Sequence, residues 1–184
     1  MNIIIEPHPD DALLGCFSLL NLGMIDKIIT VTDGEASPLN IEKDKHYKGL
    51  RKSEAFECAN YFDVSWTSLG LPDGKLIYHM DKLKLGLRSV ICANDTIFIP
   101  NIQEKHLDHK VVGIVGISLC IKNTIMYSVL KDVYPPNMHV FTYLEERREL
   151  VKKLFPSQWK DLTSGHFNLN SGEYFQKSTW VEMK

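Results

Sequence analysis

Apolar positions along the chain fall into short β-branched runs, separated by longer stretches in which they recur every three or four residues. Ile3, Ile4 and Ile5 stand in succession within residues 2–6, which predicts a strand buried on both faces. Asp10 or Asp11 then stands where a helix over 12–23 needs a cap. Residues 27–32 (KIITVT) predict a second strand, ended by the Asp33-Gly34 turn signal, and the polar, Pro38-containing stretch 35–44 predicts a loop. A helix is predicted over 46–62, with Leu50, Ala55, Phe56 and Ala59 on one face. Then come a strand over 64–69, the turn GLPDG, a helix over 80–92, a strand over 95–100 (DTIFIP) and an apolar helix over 107–121. Two further strands over 124–130 and 139–143 precede a charged helix over 145–154, and the tail from Thr163 onward is polar and poorly periodic. Strands alternating with helices predict an α/β fold whose mainly parallel sheet is covered on both faces.

Composition changes this picture little. A chain of 184 residues suits one domain over 1–184, and 44% hydrophobic with 24% charged residues is ordinary for a globular protein. The net charge is −2 with acids and bases interspersed, so no basic stripe points to a nucleic acid partner. Cys16, Cys58, Cys92 and Cys120 have no CxxC spacing and are expected to be free thiols. The opening MNIIIEPHPDD lacks the features of a signal peptide, and no apolar run is long enough for a membrane span, so a cytoplasmic protein is expected.

The chemistry gathers where strands end and helices begin, which is where open α/β sheets build their sites. After the first strand comes Pro7-His8-Pro9-Asp10-Asp11, a turn stiffened by two prolines. His8 and Asp11, three residues apart, can reach one metal ion, and adjacent carboxylates at a buried turn repel unless a cation neutralises them. After the fourth strand comes His106-Leu107-Asp108-His109, in which His109 can complete a His-Asp-His set. Three protein ligands leave a position open for water, as catalytic metal sites do. Asp108 can orient a neighbouring imidazole. Thr32-Asp33-Gly34-Glu35, after the second strand, can wall the pocket.

PHPDD with HLDH resembles the LmbE/PIG-L family of zinc-dependent de-N-acetylases. Further segments agree in order: Thr32 to Glu35, an RxxEA-like helix at Arg51 to Ala55, LGLPDG at Leu69 to Gly74, and an SQ pair at Ser157-Gln158. The resemblance implies a Rossmann-like three-layer α/β/α sandwich. It implies zinc (or another divalent ion) on His8, Asp11 and His109, with Asp10 as general base. His106 would stabilise the oxyanion in protonated form with Asp108 as its partner, and Arg51 and Asp73 would hold sugar hydroxyls. The substrate implied is a small amino sugar of the N-acetylglucosamine type or its conjugate, cleaved to acetate and a free amine. The chain departs from the family at Ala12, where Glu is usual, at Gly15-Cys16, where paired glycines are usual, and at Glu104, where Asp is often found.

Beside these stand plainer readings. Arg51 and Glu54 can form a helical ion pair, and Asp73 can serve only its turn. His46, His79, His139 and His166 lack partners at metal spacing, and Trp66, Trp159 and Trp180 can stack on a sugar or fill a core. Residues 165–175 can close over a substrate or form a surface loop. The same site can also serve another amide or ester, or a binding protein without catalysis.

Overall fold

The computed structural model describes residues 1–37, 39, 44, 46–129, 138–140, 144–162 and 173–177. Their order is β1 (Asn2–Glu6), α1 (Asp11–Asn21), β2 (Lys27–Thr32), α2 (Tyr47–Tyr61), β3 (Ser65–Leu71), a 3₁₀ turn (Leu76–His79) and α3 (Met80–Arg88). There follow β4 (Thr96–Pro100), α4 (Leu107–Ser118), β5 (Asn123–Tyr127), β6 (Met138–Val140), α5 (Leu144–Leu154), α6 (Trp159–Leu162) and β7 (Glu173–Lys177). Across the sheet the strands run β3-β2-β1-β4-β5-β7-β6. The first five pair in parallel, and β7 and β6 extend the β5 side in antiparallel. The sheet is mainly parallel, as expected.

The alternation of side chains along the strands splits the core into two layers. Ile4, Ile28, Phe98 and Tyr127 face a cluster with Leu13 and Phe17 of α1, Cys58 and Ala59 of α2, and Leu150 and Leu154 of α5. Ile3, Ile5, Ile29, Ile97, Ile99 and Met126 face the other way, against Leu83 and Leu87 of α3 and Val111, Val112 and Val115 of α4. With both faces covered, continuous Ile runs replace alternation, which is why β1 reads as it does.

Three readings change. The buried face of α2 carries Arg51, Glu54, Ala55, Cys58 and Ala59, while Leu50 and Phe56 are 46% and 47% exposed. A charged pair turns inward there because the facing group is Asp10, a carboxylate. The polar tail contains β7, whose buried Glu173 hides the strand alternation; it accepts hydrogen bonds from Ser18 N–H at 3.0 and 3.1 Å. The short α6 also goes beyond the periodicity. Residues 130, 141–143 and 163–172, and with them His166 and the ends of two expected strands, lie outside the described residues, as does Trp180. Among the described residues no helix is long and apolar enough to cross a membrane.

Close packing of α4 on β4 needs a residue without a side chain. A Cβ on Gly113 would lie 2.6 Å from the Pro100 carbonyl oxygen and 2.9 Å from Ile102 Cγ2. Backbone cannot yield as a flexible side chain does, so Gly113→Ala is expected to cost about 1–3 kcal/mol in urea unfolding despite alanine's better helix propensity. An unchanged midpoint would show that α4 has room to move.

β1 sits between β2 and β4, and the chain leaves it first toward β2 and later, by way of β4, to its other side. Such a switch point opens a crevice at the carboxyl ends of the two strands. The turn after β1 and the segment 101–106 after β4 both enter that crevice.

Candidate metal centre

The turn after β1 is pinned before any ligand is considered. Thr32, at the end of β2, gives the Pro7 carbonyl both its N–H (3.0 Å) and its hydroxyl (2.8 Å). Asp10 occupies the N-cap position of α1 yet makes no side-chain cap bond. The first turn is instead served by Glu6, whose carboxylate accepts the Ala12 N–H at 2.9 Å and the Thr30 hydroxyl at 2.6 Å. That leaves both aspartates for other work.

Three atoms converge above the turn. Asp11 Oδ2 lies 3.2 Å from His8 Nδ1 and 3.3 Å from His109 Nε2, and the two imidazole nitrogens are 3.2 Å apart. Tetrahedral ligands with bonds of about 2.1 Å stand roughly 3.4 Å from one another. The nearly equilateral triangle therefore has the size a tetrahedral divalent ion requires, with one face left open. His8 presents Nδ1 to the triangle and His109 presents Nε2. His8 Nε2 lies 3.1 Å from Asp73 Oδ1 and 3.6 Å from Asp108 Oδ2, and His109 Nδ1 is hydrogen-bonded to buried Glu104. Carboxylates behind metal-ligating histidines commonly fix the ring in this way.

Mutual charge shifts the titration of all three groups of the triangle. Burial disfavours charge on His109, but Asp11 and Glu104 outweigh it and raise its pKa to about 9. His8 is likewise raised despite burial, by Asp108, Asp11 and Asp73. Asp11 is pushed below the usual carboxylate range because the two imidazoles outweigh its burial. A cation entering here replaces protons with metal charge.

Glu104 also accepts the Val129 N–H at 2.5 Å, tying the segment after β4 to the end of β5. Glu104→Gln keeps an acceptor but loses the charge behind His109. It is expected to weaken metal binding roughly 10- to 100-fold, measured by competition with a chromogenic chelator. Unchanged affinity would mean that the His109 ring needs no such support.

Asp10 is buried and lies outside the triangle. Its Oδ2 accepts a 2.8 Å bond from Arg51 Nη2, and Arg51 Nη1 donates to Glu54 at 3.0 Å. Burial outweighs the Arg51 charge, and with Asp11 nearby the Asp10 pKa is raised. His106, the N-cap residue of α4, stands edge-on to the His8 ring at 4.8 Å between centroids and 5.0 Å from that of His109. Burial and the charges on His8 and His109 lower its pKa to about 4. Asp108, wholly buried, accepts the Gly74 N–H at 2.7 Å and the Leu76 N–H at 3.3 Å; no hydrogen bond joins it to His106 among the described residues. Its carboxylate thus braces the turn after β3 and the back of His8.

The structure brings His8, Asp10, Asp11, Asp73, His106, Asp108 and His109 into one crevice and sets Arg51 beneath Asp10. Asp73 is engaged on two sides, by His8 and by the Ala36 N–H at 3.1 Å. Trp66 donates its Nε1–H to Thr30 at 2.8 Å and lies under Lys52, a structural use of the ring. Sequence reasoning missed Glu6 and the partnership of Glu104 with His109. Glu6 carried a signal, a carboxylate closing an otherwise apolar strand. Burial pushes its pKa up to about 8. In metal-free protein the unfolded chain then releases this proton near pH 4.5 and the folded one only near 8. Stability falls between those values by up to about 1.4 kcal/mol per pH unit. Glu6→Gln is expected to flatten that slope in urea titrations, and an unaltered slope would assign it to other groups.

A pinned turn, a His-Asp-His triangle and a buried carboxylate beside it stand together where β1 and β4 end in this α/β protein. The family model for GlcNAc-PI de-N-acetylase (PIG-L) matches residues 3–120, which include every one of these groups. The chain belongs to that family. No curated protein matches in sequence. Among solved structures, a triple mutant of a deacetylase of the teicoplanin biosynthetic pathway superposes with a TM-score of 0.74 at 14% identity, covering 100% of this chain and 99% of its own. The N,N'-diacetylchitobiose deacetylase of Pyrococcus horikoshii gives 0.65 at 20% identity, covering 96% and 83%. GalB, the 4-carboxy-2-hydroxymuconate hydratase of Pseudomonas putida KT2440, gives 0.66 at 11% identity, covering 100% and 98%. At such identities the likeness is one of fold.

Proposed function

We propose that this protein is a zinc-dependent hydrolase that removes an N-acetyl group from an amino sugar of the N-acetylglucosamine type or its conjugate. The observation that carries the reading is the division of labour at the turn after β1: Asp11 joins two imidazoles in a triangle of metal size, while the neighbouring Asp10 stays out of it. His8, Asp11 and His109 would hold the ion, and other divalent ions suit the same donors. When bound, the ion acidifies water and polarises an amide carbonyl. Asp10, raised in pKa and held by Arg51, accepts the proton of the attacking water and can return it to the leaving amine. The His106 ring N–H donates to the carbonyl oxygen as negative charge develops there. The family pattern assigns Arg51 and Asp73 to sugar hydroxyls. Since the first already binds Asp10 and the second His8, we read them as supports of the base and of a ligand, with sugar contacts falling to other residues.

The test is acetate release from free, glycosidic and phosphorylated N-acetylglucosamine, comparing zinc-loaded with chelator-stripped protein. Release only from the loaded protein is expected. No release from any of them at one bound zinc per chain would overturn the reading. The hydratase among the fold neighbours would then favour water addition to an unsaturated acid, followed by loss of ultraviolet absorbance.

A further inference from the structure

Arg51 reaches the base from α2, but what holds Arg51 lies a hundred residues further along. Its guanidinium is 2% exposed, with one arm on Asp10 and the other on Glu54. Both oxygens of Glu54 are taken by one residue of the turn after α5. The Ser157 N–H donates to Oε1 at 2.9 Å and the Ser157 hydroxyl to Oε2 at 2.6 Å. Phe155 of the same turn places its ring 5.8 Å from the guanidinium carbon. Buried Gln158, next to Ser157, accepts the Ser37 hydroxyl at 3.0 Å and is hydrogen-bonded to the Tyr47 hydroxyl. One turn thus grips α2 at its start and at its ion pair, together with the loop after β2.

We propose that Ser157, acting through Glu54 and Arg51, is a positioning residue that sets the Asp10 carboxylate for proton transfer. The inference rests on the hydrolase reading and goes beyond the family match, which ends at residue 120. Its physical basis is torsional. A carboxylate turns easily about its last bond, and an arginine has four side-chain torsions, so one contact on Asp10 would leave both groups mobile. Two donors from a single residue fix the plane of Glu54, the fixed Glu54 sets one arm of the guanidinium, and the other arm then has one place to go. Fixed geometry of this kind raises the rate of proton transfer without adding binding.

The experiment uses the zinc-loaded full chain and its best acetylated substrate. Ser157→Ala is expected to lower kcat about tenfold, the effect of one hydrogen bond to a charged group, with KM and zinc affinity unchanged. Ser157→Thr, which keeps the hydroxyl, should recover most of the rate. In an Asp10→Asn background Ser157→Ala should change the residual rate by less than about twofold, because coupled residues are not additive. Glu54→Gln tests the same link should Ser157→Ala fail to fold. An equal loss in both backgrounds, or a wild-type kcat in Ser157→Ala, would overturn the positioning role while wild-type acetate release upholds the hydrolase. A silent wild type overturns the hydrolase reading and the inference with it.

Discussion

Asp10→Asn is expected to lower kcat by about 10²- to 10⁴-fold, the usual share of a general base, while zinc still binds one per chain. The substitution is nearly isosteric, and the amide oxygen can still accept the bond that Arg51 Nη2 makes at 2.8 Å. The arginine keeps Glu54 as its counter-charge, so the buried ion pair survives in part. What is lost is the ability to take a proton. Metal content by mass spectrometry and kcat on the best acetylated substrate measure the two effects separately. A variant retaining more than about a tenth of the rate would move the base elsewhere, and His106 would be the first group to test. A variant that loses the metal would mean that Asp10, and not only Asp11, reaches the ion.

The parts of the site legible in the sequence are those made by neighbours. His8 and Asp11 share one turn, His106 and His109 share one helix start, and a strand precedes each. The parallel sheet was legible because strands buried on both faces are written as unbroken β-branched runs. The supporting carboxylates were not. Glu104 bonds His109 from before the helix, and Glu6 caps α1 from the strand before it, although Asp10 and Asp11 are the better capping residues by type. Residue preference predicted a cap at Asp10 or Asp11; Asp10 instead accepts a hydrogen bond from buried Arg51, and Asp11 accepts the His8 N–H. The inward face of α2 was misread for the same reason, since an apolar stripe is the default only where no buried charge needs a partner. β7 escaped because its partners, β5 and β6, are distant in the chain, and pairing with them is a property of the assembled sheet.

Asp11→Asn is expected to weaken metal binding by about 10³-fold or more. Structural zinc draws on the order of 10 kcal/mol from its ligands at neutral pH, and losing the charged member of a three-ligand set is expected to remove about 4 kcal/mol of such a total. The site has no substitute for that charge within the triangle. Asp11 Oδ2 faces two imidazoles at 3.2 and 3.3 Å and also accepts the His8 N–H at 2.8 Å. An asparagine turned to keep its oxygen on that N–H offers the ion a neutral ligand, and one turned the other way offers it an NH₂ group that cannot bind. The imidazoles change too. Asp11 is the largest of the influences holding the His109 pKa near 9 against burial, so the variant's ring loses its proton at lower pH. Thermal unfolding with and without zinc reads the outcome, because a ligand that binds only the folded state raises Tm. Wild type should gain several degrees and Asp11→Asn almost none. A full shift in the variant would hand the ion to His8, His106 and His109, whose ring nitrogens also lie within 4.8 Å of one another. His106→Ala would then abolish the shift, whereas the Asp11-centred triangle predicts that His106→Ala keeps the metal and loses only rate.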